Sequence, residues 1–411
     1  MGHHTVDPSI IFEERRHFAE APKRMVMPVA ILGLLMLGVS VLLAFVSGDG
    51  LKMLGPHYLV AFCWWTSIAV GAMFFVIIQH LTKAGWSVVV RRVPEILACT
   101  VPTLALLSLP LVIPVLMHDG SVFKWADPDV VAGSELIQKK AGFLNPWFFL
   151  ARVAGYFTIW FLISRFFFDR SRRQDETGDP EHTRAMQRRS PLAIVLFALT
   201  TTFFAFDFLM SIDPEWFSTM FGVYFFAGSV VAFFAFFALT LMGLQRRGIL
   251  ANAITTEHYH DVGKLNFAFV FFWGYIAFSQ FMLIWYANIP EETLWFAHRT
   301  EKPWLAVAYV LIFGHMIIPF AGLLSRHVKR SRKAYAFWAI WLLVMHWIDL
   351  NWIVMPTFSH SGGSVFHVID LSLFLGIGAL VLATALKIGS QVALVPERDP
   401  LLGESLAFEN M

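Results

Sequence analysis

Long apolar runs separated by short polar segments set the pattern of this chain. They fall at about 25–47, 58–81, 95–117, 146–168, 191–211, 218–244, 266–288, 303–325, 334–355 and 366–388. A helix needs roughly 20 mostly apolar residues to cross a hydrocarbon core. Only helices suit runs of this length, because every backbone polar group must be satisfied within lipid. The pattern therefore predicts an all-α integral membrane protein with about ten transmembrane helices.

Composition agrees. Hydrophobic residues make up 57% of the 411 positions and charged residues only 15%, against about 25% charged in soluble domains. Mean hydropathy is +0.63, and 42 Phe and 15 Trp add apolar surface. A net charge of +2 gives no reason to expect a nucleic-acid partner. Cys63 and Cys99 lie far apart in apolar runs, without zinc spacing or a disulfide framework, and read as buried small hydrophobes. Residues 1–24 carry Glu13, Glu14 and Glu20 and lack the short apolar core of a cleavable signal. His3 and His4 are too few to mark a tag.

Orientation follows from Lys and Arg, which favour cytoplasmic loops. With the N-terminus inside, the alternation puts 23 of the 31 basic residues on the cytoplasmic side, counting Lys387 with the tail, and 6 on the other. Arg152 and Arg165 lie within the fourth run. One run missed or invented would scramble that ratio, so both ends are expected in the cytoplasm. Segment 118–145 is the main periplasmic excursion, and 169–190 reads as a polar, flexible turn.

Function in such a chain rests on polar groups at membrane depth, which are costly and face a cavity or a partner. His80 and Glu95 fall near the cytoplasmic ends of the second and third runs. Gln280, His315 and His346 fall near mid-depth, and Arg152, Asp207, Asp349 and Asp370 toward the periplasmic side. His346 and Asp349, three apart, share a helix face, as do Thr200, Asp207 and Ser211. Histidines and carboxylates staggered in depth are what a proton path needs. The bland alternative is hydrogen bonding that fixes helix packing. Arg152 reads as the counter-ion of a carboxylate, with Asp207 and Asp349 the candidates, while Arg165, Arg91 and Arg92 read as snorkelling to the cytoplasmic surface.

Redox cofactors and metals find little support. The intramembrane histidines His80, His315 and His346 stand one per helix at different depths, unlike the facing pairs that hold haem in membrane cytochromes. His258 and His260 lack further ligands beside them and read as a helix entry. No phosphate loop, haem-attachment motif or ferredoxin cysteine run occurs, so electrons would arrive through another polypeptide.

Two stretches carry a family resemblance. SIDPEWFSTMFGVYFFAG at 211–228 and FFWGYIAFSQFMLIWYANIPEET at 271–293, with TTEHYHDVGKLNF at 255–267, resemble the NrfD/PsrC-like membrane subunits of bacterial alternative complex III. In length and short tails the chain is most similar to the ActF type, known in the family as quinone-binding subunit 2. The resemblance implies two four-helix bundles, 58–211 and 212–355, between peripheral helices at 25–57 and 356–388, with cytoplasmic segments 1–24 and 389–411. It implies a place in the bacterial inner membrane, in a quinol:electron-acceptor oxidoreductase of the respiratory chain. The implied partners are an ActC-like sister subunit, an iron–sulfur subunit, pentahaem and monohaem cytochromes c, small membrane subunits and lipids. It implies no cofactor in this chain, haem c and iron–sulfur clusters residing in the partners, and a proton path coupled to quinol oxidation.

A quinol headgroup, if one enters, is expected at a mouth near Asp207, Asp213, Trp216, Trp285 and Tyr286, although Trp and Tyr at that depth also serve as interfacial anchors. Two other readings stay open. A secondary transporter would use helices broken at mid-depth, and Pro102, Pro110, Pro114 and Pro319 interrupt the third and eighth runs. A purely structural scaffold would need none of the buried groups to titrate.

Overall fold

The computed structural model describes residues 6–18, 20–46, 51–358 and 366–410; His3, His4 and most of the connection 356–365 lie outside them. Every regular element among the described residues is helical. Ten helices are long and apolar enough to cross a membrane: α1 (Pro22–Val46), α2 (Leu54–Leu81), α3 (Gly85–Leu116), α4 (Pro146–Thr177), α5 (Glu181–Ile212), α6 (Phe221–Arg246), α7 (Thr256–Ala287), α8 (Trp304–Leu324), α9 (Arg332–Thr357) and α10 (Val368–Gly389).

The helices α2 and α6 form the centre. In their most apolar stretches 89% and 78% of residues are buried, against 17% in α1. α2 packs with α3 and α5, α4 with α5, α6 with α7 and α9, and α8 with α7 and α9. The seam between these two sets is α2 on α6, reinforced by α2 on α9 and α5 on α6. α1 lies along α10, which in turn attaches to α2 and α3. Long apolar helices whose polar groups are all satisfied internally leave their outer faces greasy, and α1 shows it with Leu34, Leu42 and Phe45 exposed.

Prolines shape two helices. In α3 they punctuate three short segments, Val88–Ala98, Val101–Leu107 and Leu109–Leu116, and Pro102 and Pro110 stand in first turns, where a missing N–H costs nothing. In α8, Pro319 follows a π-helical stretch, Ile312–Ile317. Proline offers no donor to the preceding turn. The carbonyl of Gly314 accepts instead from Trp341 Nε1 at 2.6 Å, and the widened turn sets His315 inward.

The segment 169–190 is not the flexible turn its polarity suggests. α4 runs on to Thr177, Gly178 ends it in the left-handed region at φ +72°, and α5 starts at Glu181. Gln174 and Thr183 hydrogen-bond across this hairpin at 2.8 Å. The polar run marks where apolar surroundings end, not where the helix ends. Segment 118–145 likewise buries Phe123 and Trp125 and forms the short helices Pro128–Gly133 and Glu135–Lys139.

The two chain ends meet. Leu394 N–H donates to the Arg16 carbonyl at 2.8 Å, Val6 N–H to Gly403 at 3.2 Å and Leu250 N–H to Arg15 at 3.0 Å. Residues 6–18 and 391–410 thus share one end of the bundle; segments 118–145 and Pro290–Thr300 sit at the other.

Candidate functional site

Five helices converge on one buried cluster. His346 and Asp349 do share the inward face of α9, and both are buried. The Asp349 carboxylate accepts from the Tyr224 hydroxyl on α6 and from Trp273 Nε1 on α7, the latter at 3.2 Å. His315 on α8 stacks on the same indole, ring centroids 3.9 Å apart and planes 29° from parallel. Neither nitrogen of His315 has a hydrogen-bond partner among the described residues.

His346 sits one turn from Asp349 and contacts α2. Its Nε2 lies 3.0 Å from Ser67 Oγ. That hydroxyl already donates to the Cys63 carbonyl, so His346 Nε2 carries the proton and Nδ1 is left a bare acceptor with no partner. Gly228 on α6 makes room: a Cβ there would stand 3.2 Å from this ring. Gln280 is buried further along α7 with Oε1 unpartnered. Orphaned polar atoms in a buried site are uncommon and call for water or for a changing proton. A carboxylate with two neutral donors, and two histidines with open nitrogens, can pass protons without first breaking an ion pair.

Arg299, from the helix Pro290–Thr300, closes the far end of this cluster. It donates to the carbonyls of Trp295, Trp352 and Ile353 at 2.8, 3.1 and 2.6 Å and lies 3.5 Å over the Trp295 ring. Burial pushes its pKa down to about 9, opposed by Asp213 and Tyr224, which leaves it a cation at neutral pH. The last carbonyls of α9 are where a helix favours a cation.

The other expected residues are placed differently. Arg152 chooses Asp207, not Asp349: Nε and Nη2 reach the two carboxylate oxygens at 2.8 and 2.7 Å, and Tyr156 adds a hydroxyl at 2.6 Å. Thr200 accepts from Trp160, and Ser211 donates to the Asp207 carbonyl. Glu95 pairs with both Arg91 and Arg92 at 3.3 and 3.1 Å, and those reach Asp399 at 2.5 Å and Asp175 at 2.6 Å. Arg91 and Arg92 therefore do not snorkel. The reasons are the tail, which brings Asp399 to Arg91, and α4, which brings Asp175 and Ser171 to Arg92. Arg165 does lie half-exposed beside Asp169.

His80 stacks on Phe167 at 5.3 Å with Nε2 unpartnered. Asp370 pairs with His57 at 2.5 Å and caps the start of α10 through His367 N–H. His57 falls before the second apolar run as read from sequence, but α2 begins earlier and carries it. His258 is a capping residue for α7, accepting from Thr255 N–H at 3.1 Å.

The residues expected at a quinone mouth are split: Trp216 lines a cavity of about 290 Å³ with Lys140, Ser211 and Pro214, and neither Trp285 nor Tyr286 is part of its wall. Trp216 is 3% exposed, stacked on Trp295 at 4.5 Å, whereas Trp285 and Tyr286 are 65% and 82% exposed on the outer face of α7. Asp213 lies in the fields of Lys140 and Arg299, and Asp207 is held by Arg152. A helical period separates inward from outward residues only when the facing neighbours are known, and the sequence did not supply them. A cavity of about 610 Å³ opens elsewhere, between α2, α6, α9 and α10, walled by Trp64, Trp65, Trp347 and Phe374 with Asp370 at one end. That volume is in the range of about 300–1,000 Å³ usual for small-molecule sites.

Sequence reasoning missed Tyr224, Trp273, Ser67 and Arg299. Tyr224 and Trp273 lie within the two stretches that carried the family resemblance, which is the signal that marks them. Among the described residues, no three His, Cys, Asp or Glu side chains gather as metal ligands would. No family model matches this chain, and no characterised protein does.

Proposed function

We propose that this chain spans a bacterial cytoplasmic membrane ten times with both ends inside, and supplies a proton path in a quinol-oxidising respiratory assembly. The assembly is of the alternative complex III kind, with an ActC-like sister, an iron–sulfur subunit and cytochromes c as partners. The bundle end holding the termini is then cytoplasmic, and the end holding Arg299 periplasmic. The observation that carries the reading is the cluster of His315, His346, Asp349 and Tyr224, buried, titratable and free of any ion pair among the described residues. Such groups are costly at membrane depth, and a scaffold could use apolar packing in their place. Quinol oxidation elsewhere in the assembly releases protons, and this cluster offers them, or protons from the cytoplasm, a route.

The transporter reading is weaker. Its broken helices should occupy matching places in the two halves. The interruptions fall instead in α3 and α8, the second and third helices of their groups of four.

The test is proton release per electron in liposomes holding the purified assembly, comparing wild type with His346→Ala and Asp349→Asn. Translocation lost with quinol oxidation retained supports the path. Unchanged stoichiometry in both variants removes it and leaves the scaffold.

A further inference from the structure

Resting on the proton-path reading, we propose that protons enter from the cytoplasmic side between α7 and α9, through Tyr259, Tyr335 and Asn266 to His315, and not past Glu95 and His80.

The inward seam of α7 carries a polar or aromatic hydrogen-bonding residue every seventh position: Tyr259, Asn266, Trp273 and Gln280. All four are 0–4% exposed. A spacing of seven keeps residues on one face with a drift of about 20° per step. Two of the four belong to the central cluster already described. The other two extend it toward the termini end. The Tyr259 hydroxyl donates to Gln245 Oε1 at 2.9 Å. Asn266 Nδ2 donates to the Tyr335 hydroxyl on α9 at 3.4 Å, and Asn266 Oδ1 has no partner among the described residues although the residue is fully buried. A buried amide oxygen without a donor is a site for water. Tyr335 stands one turn from the start of α9, and Arg332 lies over the Tyr259 ring at 5.3 Å. The column therefore begins at the cytoplasmic rim.

The alternative inlets are longer and electrically closed. On α2, no polar side chain occurs between Ser67 and Gln79, a dry stretch of about 18 Å at 1.5 Å per residue. From Asn266 to Trp273, which His315 stacks upon, the rise is about 10.5 Å. Closing that gap takes about three or four hydrogen-bonded waters at 2.7–2.8 Å spacing, admitted past the buried Val270 and Leu342. Glu95 is held by two guanidiniums, so taking up a proton there breaks two buried ion pairs. Any route through α3 and α5 ends at Asp207, whose two oxygens Arg152 holds.

Inward transfer needs the Tyr335 hydroxyl to donate, so the Asn266 amide turns its Oδ1 toward that hydroxyl as the proton passes inward, and turning back restores the Nδ2 bond with no net charge left behind. The test uses the assembly in liposomes, with Asn266→Leu, Tyr335→Phe, Glu95→Gln and Asp349→Asn measured together. Expected is a fall of tenfold or more in protons moved per electron for Asn266→Leu and Tyr335→Phe, matching Asp349→Asn, with quinol oxidation retained and Glu95→Gln unchanged. Tyr335→Phe keeps the ring, so it decides the matter should Asn266→Leu fail to assemble. Wild-type stoichiometry in Tyr335→Phe with loss in Asp349→Asn overturns this inlet and leaves the path. Loss in Glu95→Gln overturns it too. Unchanged stoichiometry in Asp349→Asn overturns the reading beneath both.

Discussion

The two halves of this bundle treat buried charge in opposite ways. In α2–α5, every strongly charged group at depth is locked: Arg152 to Asp207, and Arg91 and Arg92 to Glu95, Asp175 and Asp399. In α6–α9, Asp349 meets only neutral donors, and His315 and His346 keep open nitrogens. An ion pair in a low-dielectric interior resists protonation of its carboxylate and anchors the helices that supply it. A half-satisfied cluster without an ion pair anchors little and can change its proton count. On the proposed reading the difference separates a structural half from a working half, although both look equally polar when residues are merely counted.

The largest effect should come from breaking a lock. Arg152→Ala leaves Asp207 buried with Tyr156 as its one remaining side-chain donor. Breaking a buried pair on one side costs about 3–5 kcal/mol, so thermal unfolding of the purified assembly should begin well below that of wild type. Arg152→Leu combined with Asp207→Leu should recover most of the loss, since removing both charges removes the exposed penalty. Full stability in the single variant would show that water already reaches this pair.

A middle effect is expected at the tail. Asp399→Asn weakens the charged hydrogen bond to Arg91, worth about 1.5–3 kcal/mol, while Arg91 keeps Glu95. Limited proteolysis should then cut residues 391–410 faster, with proton stoichiometry unaltered. A change in stoichiometry without faster cutting would move this ion cluster from the structural half to the working half.

The sequence made the helices legible and the contacts only partly so. Ten apolar runs gave ten helices because length and hydropathy are local properties. The pairing of Arg152 with one of two carboxylates was legible as a choice, and only the packing of α4 on α5 selects Asp207. Asp399 was invisible because its importance lies in where the tail after α10 folds back. The inwardness of Trp216 depends on Trp295, which lies on a short helix the hydropathy pattern does not reveal. By contrast the seven-residue spacing of Tyr259, Asn266, Trp273 and Gln280 stood in the sequence throughout. It is easily passed over because Trp and Tyr count as apolar in a transmembrane run.

The smallest effect on stability, and the sharpest probe of the comparison, is Trp273→Phe. The ring that His315 stacks on is largely kept, and Asp349 retains Tyr224, so one neutral hydrogen bond is lost. Such a bond contributes about 0.5–1.5 kcal/mol, and thermal unfolding should shift little. In a locked half, a change this small would be felt nowhere else. In the working half, the same 0.5–1.5 kcal/mol acts on the balance between the charged and neutral forms of Asp349, where each 1.4 kcal/mol is tenfold. Proton release under a quinol pulse should therefore slow about two- to tenfold, with electron transfer at fixed pH held near wild type. Equal rates in both proteins would mean that Asp349 does not change its proton during turnover, and the contrast between the halves would reduce to one of packing.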